Sequence, residues 1–328
     1  MKITALFQKQ KMMRTVLLSL IPVSLMAVYL YGWRMLMLAA FVALAAVISE
    51  YLVMRSINKD KTKVSEAAFV SAALFTLTLP PQTPVWVAVV GIVFGIVFGK
   101  AVFGGFGRNV FNPALVGRCF IYVAFPHYLT MNWAQPFLAL PGGFAAWTVA
   151  ADAVTSATPI INYNQGIAAM DNLRLFLGSV GGALGETSAL LILLSGAFLV
   201  YRKVASWQLM VSTIVSGTLL AAIFHYAGVQ HATGVLAAPP LFTLLSGGFL
   251  FGAIFMVTDP VSAPKGKGAQ WIAGTLVGLI TIIIRTFSLF TEGMMFAILI
   301  VNAFTPLLEL QIKRRQDRKK LAAKEASA

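Results

Sequence analysis

Four ionisable residues stand where charge is expensive. Glu186 lies in Gly181-Gly182-Ala183-Leu184-Gly185-Glu186-Thr187, with apolar sequence on both sides, and Arg118 and Arg285 fall inside apolar runs. Asp259, in Thr258-Asp259-Pro260-Val261-Ser262-Ala263, sits at the edge of one, ahead of Lys265. Charges in such settings are kept for ion or proton pathways, or are neutralised by a partner. For Arg118 and Arg285 the choices are pairing with a carboxylate or holding an oxygen of a flavin or quinone. Asp259 is either an N-cap ahead of Pro260 or a ligand for an ion or proton.

The stretch Gly104-Gly105-Phe106-Gly107-Arg108-Asn109-Val110-Phe111-Asn112-Pro113-Ala114-Leu115-Val116-Gly117-Arg118 is the most unusual. Asn112 is expected to cap a helix that starts at Pro113, because proline lacks the N–H that would be orphaned there. The glycines allow close approach of a ligand or of another helix. On spacing alone a tight inter-helix turn is favoured over a binding loop. Thr155-Ser156-Ala157-Thr158 reads as a polar loop whose hydroxyls a modifying enzyme could esterify.

Metal chemistry has little material. There is one cysteine, Cys119, where an iron–sulfur cluster needs four thiolates. His127, His225 and His231 make no i,i+3 or i,i+4 pair. Redox work by this chain would therefore fall to organic cofactors.

The elements that must position these residues are apolar helices. Of the 328 residues, 59% are hydrophobic and 11% charged, with mean hydropathy +0.83. Apolar runs of roughly 17–22 residues match a ~30 Å hydrocarbon core crossed as helix. The reading is an all-α polytopic membrane protein of about ten transmembrane helices, near 15–31, 35–54, 67–81, 84–103, 112–126, 174–201, 207–228, 237–257, 270–287 and 292–309. The N-terminal basic and apolar stretch is taken as a retained first helix rather than a signal peptide.

Charge sorts by side. Lys2, Lys9, Lys11 and Arg14, then Arg55, Lys59, Lys61 and Lys63, Lys100 and Arg108, Arg202 and Lys203, Lys265 and Lys267, and the tail Lys313-Arg314-Arg315 with Arg318-Lys319-Lys320 all fall on one side of this topology. The segment 127–173 on the other side has no Lys or Arg. By the positive-inside rule both termini are cytoplasmic and the long loop lies outside. The net charge of +14 is this topology rule and gives no reason to expect nucleic acid. The divisions are a cytoplasmic N-terminus 1–14, a first helical half 15–126, the outer loop 127–173, a second half 174–309 and a basic tail 310–328. Glu50, Glu66 and Glu309 are placed at solvated cytoplasmic helix ends.

Two helices read as interrupted, at Thr76–Pro81 and at Val257–Pro260. Pro80 and Pro113 are 33 residues apart, as are Pro260 and Gly293. That spacing points to two inverted five-helix repeats with sites at the interrupted helices, a plan that transporters and channels share.

From about residue 60 to 309 the chain resembles the membrane flavoprotein subunits of respiratory redox pumps: RnfD of the Rnf complex and NqrB of the sodium-pumping NADH–quinone reductase (Nqr). Phe103–Ala114 is similar to the glycine-rich turn of that family, Thr258–Ala263 to its second signature, and Asp152–Thr158 to its flavin-attachment sequence. The resemblance implies FMN joined to Thr158 by a phosphoester on the outer face, with Asp152, Thr155, Ser156 and Ala157 recognised by a flavin transferase. Arg108, Asn112 and Arg118 are carried as cofactor contacts. Asp259, Glu66 and Glu309 match acidic positions of a cation path, to which Glu186 is added. A second, non-covalent riboflavin is implied without a location. The implied role is that of one component, inactive alone, of an ion-translocating oxidoreductase in the bacterial or archaeal cytoplasmic membrane. Its partners would be iron–sulfur subunits, a second FMN-carrying subunit, Na⁺ or H⁺, and a quinone. The RnfD side of the family is favoured by the short chain and by Thr155-Ser156-Ala157-Thr158-Pro159. Gly107-Arg108-Asn109 and Val116-Gly117-Arg118 are closer to NqrB.

Overall fold

The computed structural model describes residues 7–58, 63–130, 133–149, 158–167, 170–186, 188–290 and 292–325. The chain is an all-α polytopic membrane protein. Five helices are long and apolar enough to cross a membrane: α1 (Lys11–Tyr31), α2 (Arg34–Asn58), α10 (Trp207–Tyr226), α13 (Lys267–Phe287) and α14 (Gly293–Glu325). Between them in sequence lie α3 (Ala67–Leu77), α4 (Val85–Ile96, continued by a π turn Val97–Ala101), α5 (Pro113–Ala124), α6 (Pro126–Thr130), α7 (Pro159–Asn164), α8 (Asn172–Leu177) and α9 (Ala189–Tyr201). After α10 come α11 (Pro240–Leu245) and α12 (Phe249–Phe251, continued by a π turn Gly252–Met256). At 1.5 Å per residue α3 and α5 reach only about 17–18 Å, so each ends at depth.

Two expected spans need correction. Residues 174–201 are not one helix: α8 ends at Gly178, which is left-handed (φ 95°), and α9 begins at Ala189. Residues 178–186 between them turn back into the protein. The span 237–257 is likewise broken, between α11 and α12, at Gly247 and Gly248 (φ 62° and 68°). Both segments sit in largely apolar sequence, and the breaks are marked by glycines, at 178–185 and at Gly247-Gly248, rather than by a change of periodicity.

The repeat is present. The short α3, the chain break after it, α4 and α5 recur as α12, the break at Thr258–Ser262, α13 and α14. In the first half α2 packs on α4 and α4 on α5; in the second α10 packs on α13 and α13 on α14. Equivalent helices run in opposite directions. α3 enters from the face that holds Gln10 and Glu66 and stops at depth, whereas α12 starts at depth and leads out to Asp259.

Contacts tie the cation-rich ends to one face. Phe7–Gln8 pairs with Val64–Ser65, and Glu66 accepts from the Gln10 amide at 2.6 Å and pairs with Arg14 at 2.5 Å. Ser206 donates to Gln270 at 2.8 Å, Gln270 to the Pro264 carbonyl at 3.0 Å, and the Lys265 amide to Glu309 at 2.6 Å. Trp207 and Trp271 meet edge to face there, 5.7 Å apart, as expected of interfacial aromatics. On the opposite face the Arg34 and Trp33 amides bond Trp147 and Ala146 carbonyls, and the Arg34 guanidinium is taken up by the carbonyls of Pro81 and Thr83.

Glu50 is not at a solvated end, and Lys100 is not a loop cation. Each is 1% exposed; Lys100 Nζ lies 2.8 Å from Glu50 Oε2 and 2.5 Å from Ser65 Oγ, which itself donates to Glu50. Packing of the α4 end on α2 shields these groups from solvent, and they satisfy each other.

Glu66 precedes α3, and the Arg14 guanidinium bonded to it holds its carboxyl below the usual carboxylate range. A lowered folded-state pKa gives stabilisation that is present above the ordinary value and lost as pH falls through the lowered one. Glu66→Gln is expected to raise amide hydrogen exchange over residues 7–14 at neutral pH. Wild type should match it only on acidification below the carboxylate range.

Candidate functional site

The backbone breaks of both halves converge. α3 ends at Thr78, and Leu77 and Leu79 carbonyls accept from the amides of Gly185 (2.7 Å) and Leu184 (3.0 Å) in the returning segment. Tyr31 Oη donates to the Gly182 carbonyl (3.1 Å) and accepts from its amide (3.0 Å). Inside hydrocarbon such irregular backbone survives only if protein groups satisfy it.

α5 delivers a guanidinium to this point. Asn112 caps it as expected, accepting from the Ala114 amide at 3.0 Å with Pro113 at the first helical position, and also reaches the Met256 carbonyl of the other half at 3.4 Å. Gly117 lets α5 lie against α4, since a Cβ there would run into the Gly91 carbonyl. One residue on, Arg118 is 2% exposed. It donates to the Thr78 carbonyl, is ion-paired with Glu292, and has Glu186 Oε1 at 4.0 Å.

The second half answers with Arg285 of α13, 5% exposed. Its guanidinium donates to the carbonyls of Thr243 and Ser246 (3.3 Å each) and of Gly247, and lies over the Phe249 ring. Each arginine therefore sits at the carbonyl-bearing end of a half-helix, the negative end of its dipole. Gly248 is held beside Glu186; any Cβ would collide with that carboxylate, and its positive φ adds strain. The result is two cations and two anions between the halves, which removes the large cost of isolated buried charge.

Thr78, Arg118, Glu186, Gly248 and Glu292 line a cavity of about 20 Å³, enough for one water or small ion and too small for a flavin. The Nε atoms of Arg118 and Arg285 are buried without a hydrogen-bond partner among the described residues. Arg285 also lines a second cavity, with Ile160, Asn164, His231 and Thr243, on the side of α7.

Thr158 immediately precedes α7, is 6% exposed, and its side chain makes no cap hydrogen bond. It lies on the face away from the basic ends: the Asn164 carbonyl at the end of α7 accepts from Thr233, and the neighbouring Ala232 amide bonds Thr286 at the far end of α13. Asp152, Thr155, Ser156 and Ala157 lie outside the described residues. Arg108 is exposed, its side chain lying beside Gly104. Asp259 caps a turn rather than a helix, accepting from the Val261 and Ser262 amides and from Ser262 Oγ at 2.6 Å. Asp259, Glu66, Glu186 and Glu309 share no partner among the described residues; three are on the basic face and Glu186 is at the centre.

Glu292 reads in the sequence only as a turn marker. The repeat held the signal, because Glu292 precedes Gly293 as Asn112 precedes Pro113. Ser246-Gly247-Gly248 offered a breaker signal inside an apolar run.

The NQR2, RnfD, RnfE family profile matches residues 3–317. The chain belongs to this family. Curated relatives include NqrB of the Na⁺-translocating NADH-quinone reductase of Pseudoalteromonas atlantica, 37% identical over 80% of this chain and 63% of the relative. The same component from Azotobacter vinelandii (80% of this chain) and from Yersinia pestis (79%) is in each case 38% identical, again over 63% of the relative. The chain thus spans about 63% of the length of these relatives.

Removing one partner of the buried quartet should cost more than removing two. Arg118→Met is expected to destabilise by about 3–5 kcal/mol, read as a lowered melting temperature in detergent. Adding Glu292→Gln should recover part of the loss, whereas additive losses would show that the two do not act as a pair.

Proposed function

We propose that this chain is the FMN-carrying membrane subunit of an ion-translocating electron-transport complex. Family membership supports the setting. The observation that carries the reading is Thr158: it closes Asp152–Thr158 on the face opposite the basic ends, with a hydroxyl not committed to capping α7. That hydroxyl fits a phosphoester to FMN, with Asp152, Thr155, Ser156 and Ala157 as the segment read by a flavin transferase. FMN so attached supplies one- and two-electron redox chemistry.

The chain's own residues supply position and charge. Arg118, Arg285, Glu186 and Glu292 fix the half-helix ends against one another, and the small cavity among them accommodates a water or ion rather than the second riboflavin. Asp259, Glu66 and Glu309 offer carboxylates on the basic face for Na⁺ or H⁺ entering or leaving. That face fits the cytoplasm, both termini included, with Thr158 outside the cytoplasmic membrane. The remaining partners are iron–sulfur subunits, a second FMN-carrying subunit and a quinone. Thr155–Pro159 supports an Rnf-type ferredoxin:NAD⁺ complex. A second reading, the Nqr-type quinone reductase, is favoured by the names of the relatives and by Gly107–Asn109.

A denatured gel band of this chain, from a host with an active flavin transferase, is expected to fluoresce under ultraviolet light. Thr158→Val should abolish the fluorescence with the chain still in the membrane. A dark wild-type band would support instead a channel or transporter without redox function. In the assembled complex Asp259→Asn is expected to lower ion pumping at least tenfold per electron transferred. Unchanged pumping and turnover would remove Asp259 from the cation path.

A further inference from the structure

On the basic face a groove of about 490 Å³ opens between the start of α1 and the end of α9, lined by Lys11, Thr15, Tyr201, Arg202, Lys203 and Val204. Three cations converge there. None of them forms an ion pair among the described residues, although the same face holds paired charges at Arg14–Glu66 and Lys100–Glu50. A concave surface with three uncompensated cations and a hydroxyl is complementary to a phosphodiester.

The backbone carries a second, independent sign. Lys203 has φ 55°, and among the described residues no other non-glycine residue has a positive φ. It follows α9 in the left-handed closing turn, its amide bonded to the Val200 carbonyl and the Val204 amide to that of Leu199. Glycine is the residue that such a position favours, because a Cβ is strained there. A lysine kept in that conformation holds its ammonium at the groove at the expense of the turn.

Below the cations both helices continue as apolar tracks. On α9, Leu194, Phe198 and Arg202 recur every four residues along one face, with Leu194 58% exposed and Arg202 stacked over Phe198. On α1, Lys11, Thr15 and Leu18 follow one another on one face, Leu18 being 58% exposed. A ligand with an anionic head at the membrane surface and hydrocarbon tails matches this layout; a free anion uses only its upper part.

We infer that the groove between α1 and α9 is a binding site for an anionic phospholipid, the phosphodiester held by Lys11, Arg202 and Lys203 and the acyl chains lying along Leu18 and Leu194–Phe198. The inference is independent of the flavin reading.

The full-length chain, delipidated in detergent, can be titrated with dioleoylphosphatidylglycerol or dioleoylphosphatidylcholine and read by native mass spectrometry. Wild type is expected to retain the anionic lipid in clear preference. Lys203→Gly is the decisive variant: it relieves the strained turn, so the melting temperature should hold or rise, while phosphatidylglycerol affinity falls roughly five-fold for the one cation lost. Lys11→Gln with Arg202→Gln and Lys203→Gln should lower it roughly a hundred-fold, and Lys313→Gln with Arg314→Gln in the tail should leave it unchanged. Equal retention of phosphatidylcholine, or unaltered affinity in Lys203→Gly, would overturn the site. Displacement of the lipid by inorganic phosphate at matched ionic strength would overturn the lipid assignment in favour of a small-anion site.

Discussion

Hydrocarbon offers no water to a broken helix, and that constraint organises this protein. Each interruption at membrane depth exposes carbonyls and amides that would cost several kcal/mol apiece if left alone. The breaks do not stand apart; they are brought together and satisfy one another. Gly185 and Leu184 amides serve the carbonyls after α3, Tyr31 serves Gly182, and the guanidinium groups of Arg118 and Arg285 serve the carbonyl ends of α3 and α11. Without that convergence neither half could carry an interrupted helix.

The arginines bring a second requirement. A guanidinium that caps carbonyls inside the protein still carries a net charge, and Glu186 and Glu292 balance it. The carboxylates come from segments distant in sequence, one from the returning loop and one from the start of α14. The charge balance is therefore a contact between the two repeats, as is the bond from Asn112 to the Met256 carbonyl. Movement of one half against the other would have to rearrange these bonds. The Nε groups of Arg118 and Arg285, without a partner among the described residues, leave donors there for water.

The candidate residues separate by depth. Thr158 and α7 lie on one face, the quartet lies between the halves, and Asp259, Glu66 and Glu309 lie on the basic face. Arg285 lines the cavity beside α7 and bonds the carbonyl of Gly247, which borders the central one.

Composition and run length were enough for the membrane class, since no distribution of so few charges covers that much apolar surface in water. The cation asymmetry gave the common face of the ends, and the Asn112-Pro113 cap was legible because capping is local, needing only a side-chain acceptor and a proline in register. The equal spacing from Pro80 to Pro113 and from Pro260 to Gly293 disclosed the repeat. What stayed hidden was set by packing. Glycines mark 178–186 and 246–248, but packed membrane helices also carry glycine, so only their partners decided that the chain breaks there. The partner of a buried charge is chosen by three-dimensional proximity, so Lys100 with Glu50, and Arg118 with Glu292, could be named only once the helices had brought residues 50 and 174 positions apart into contact.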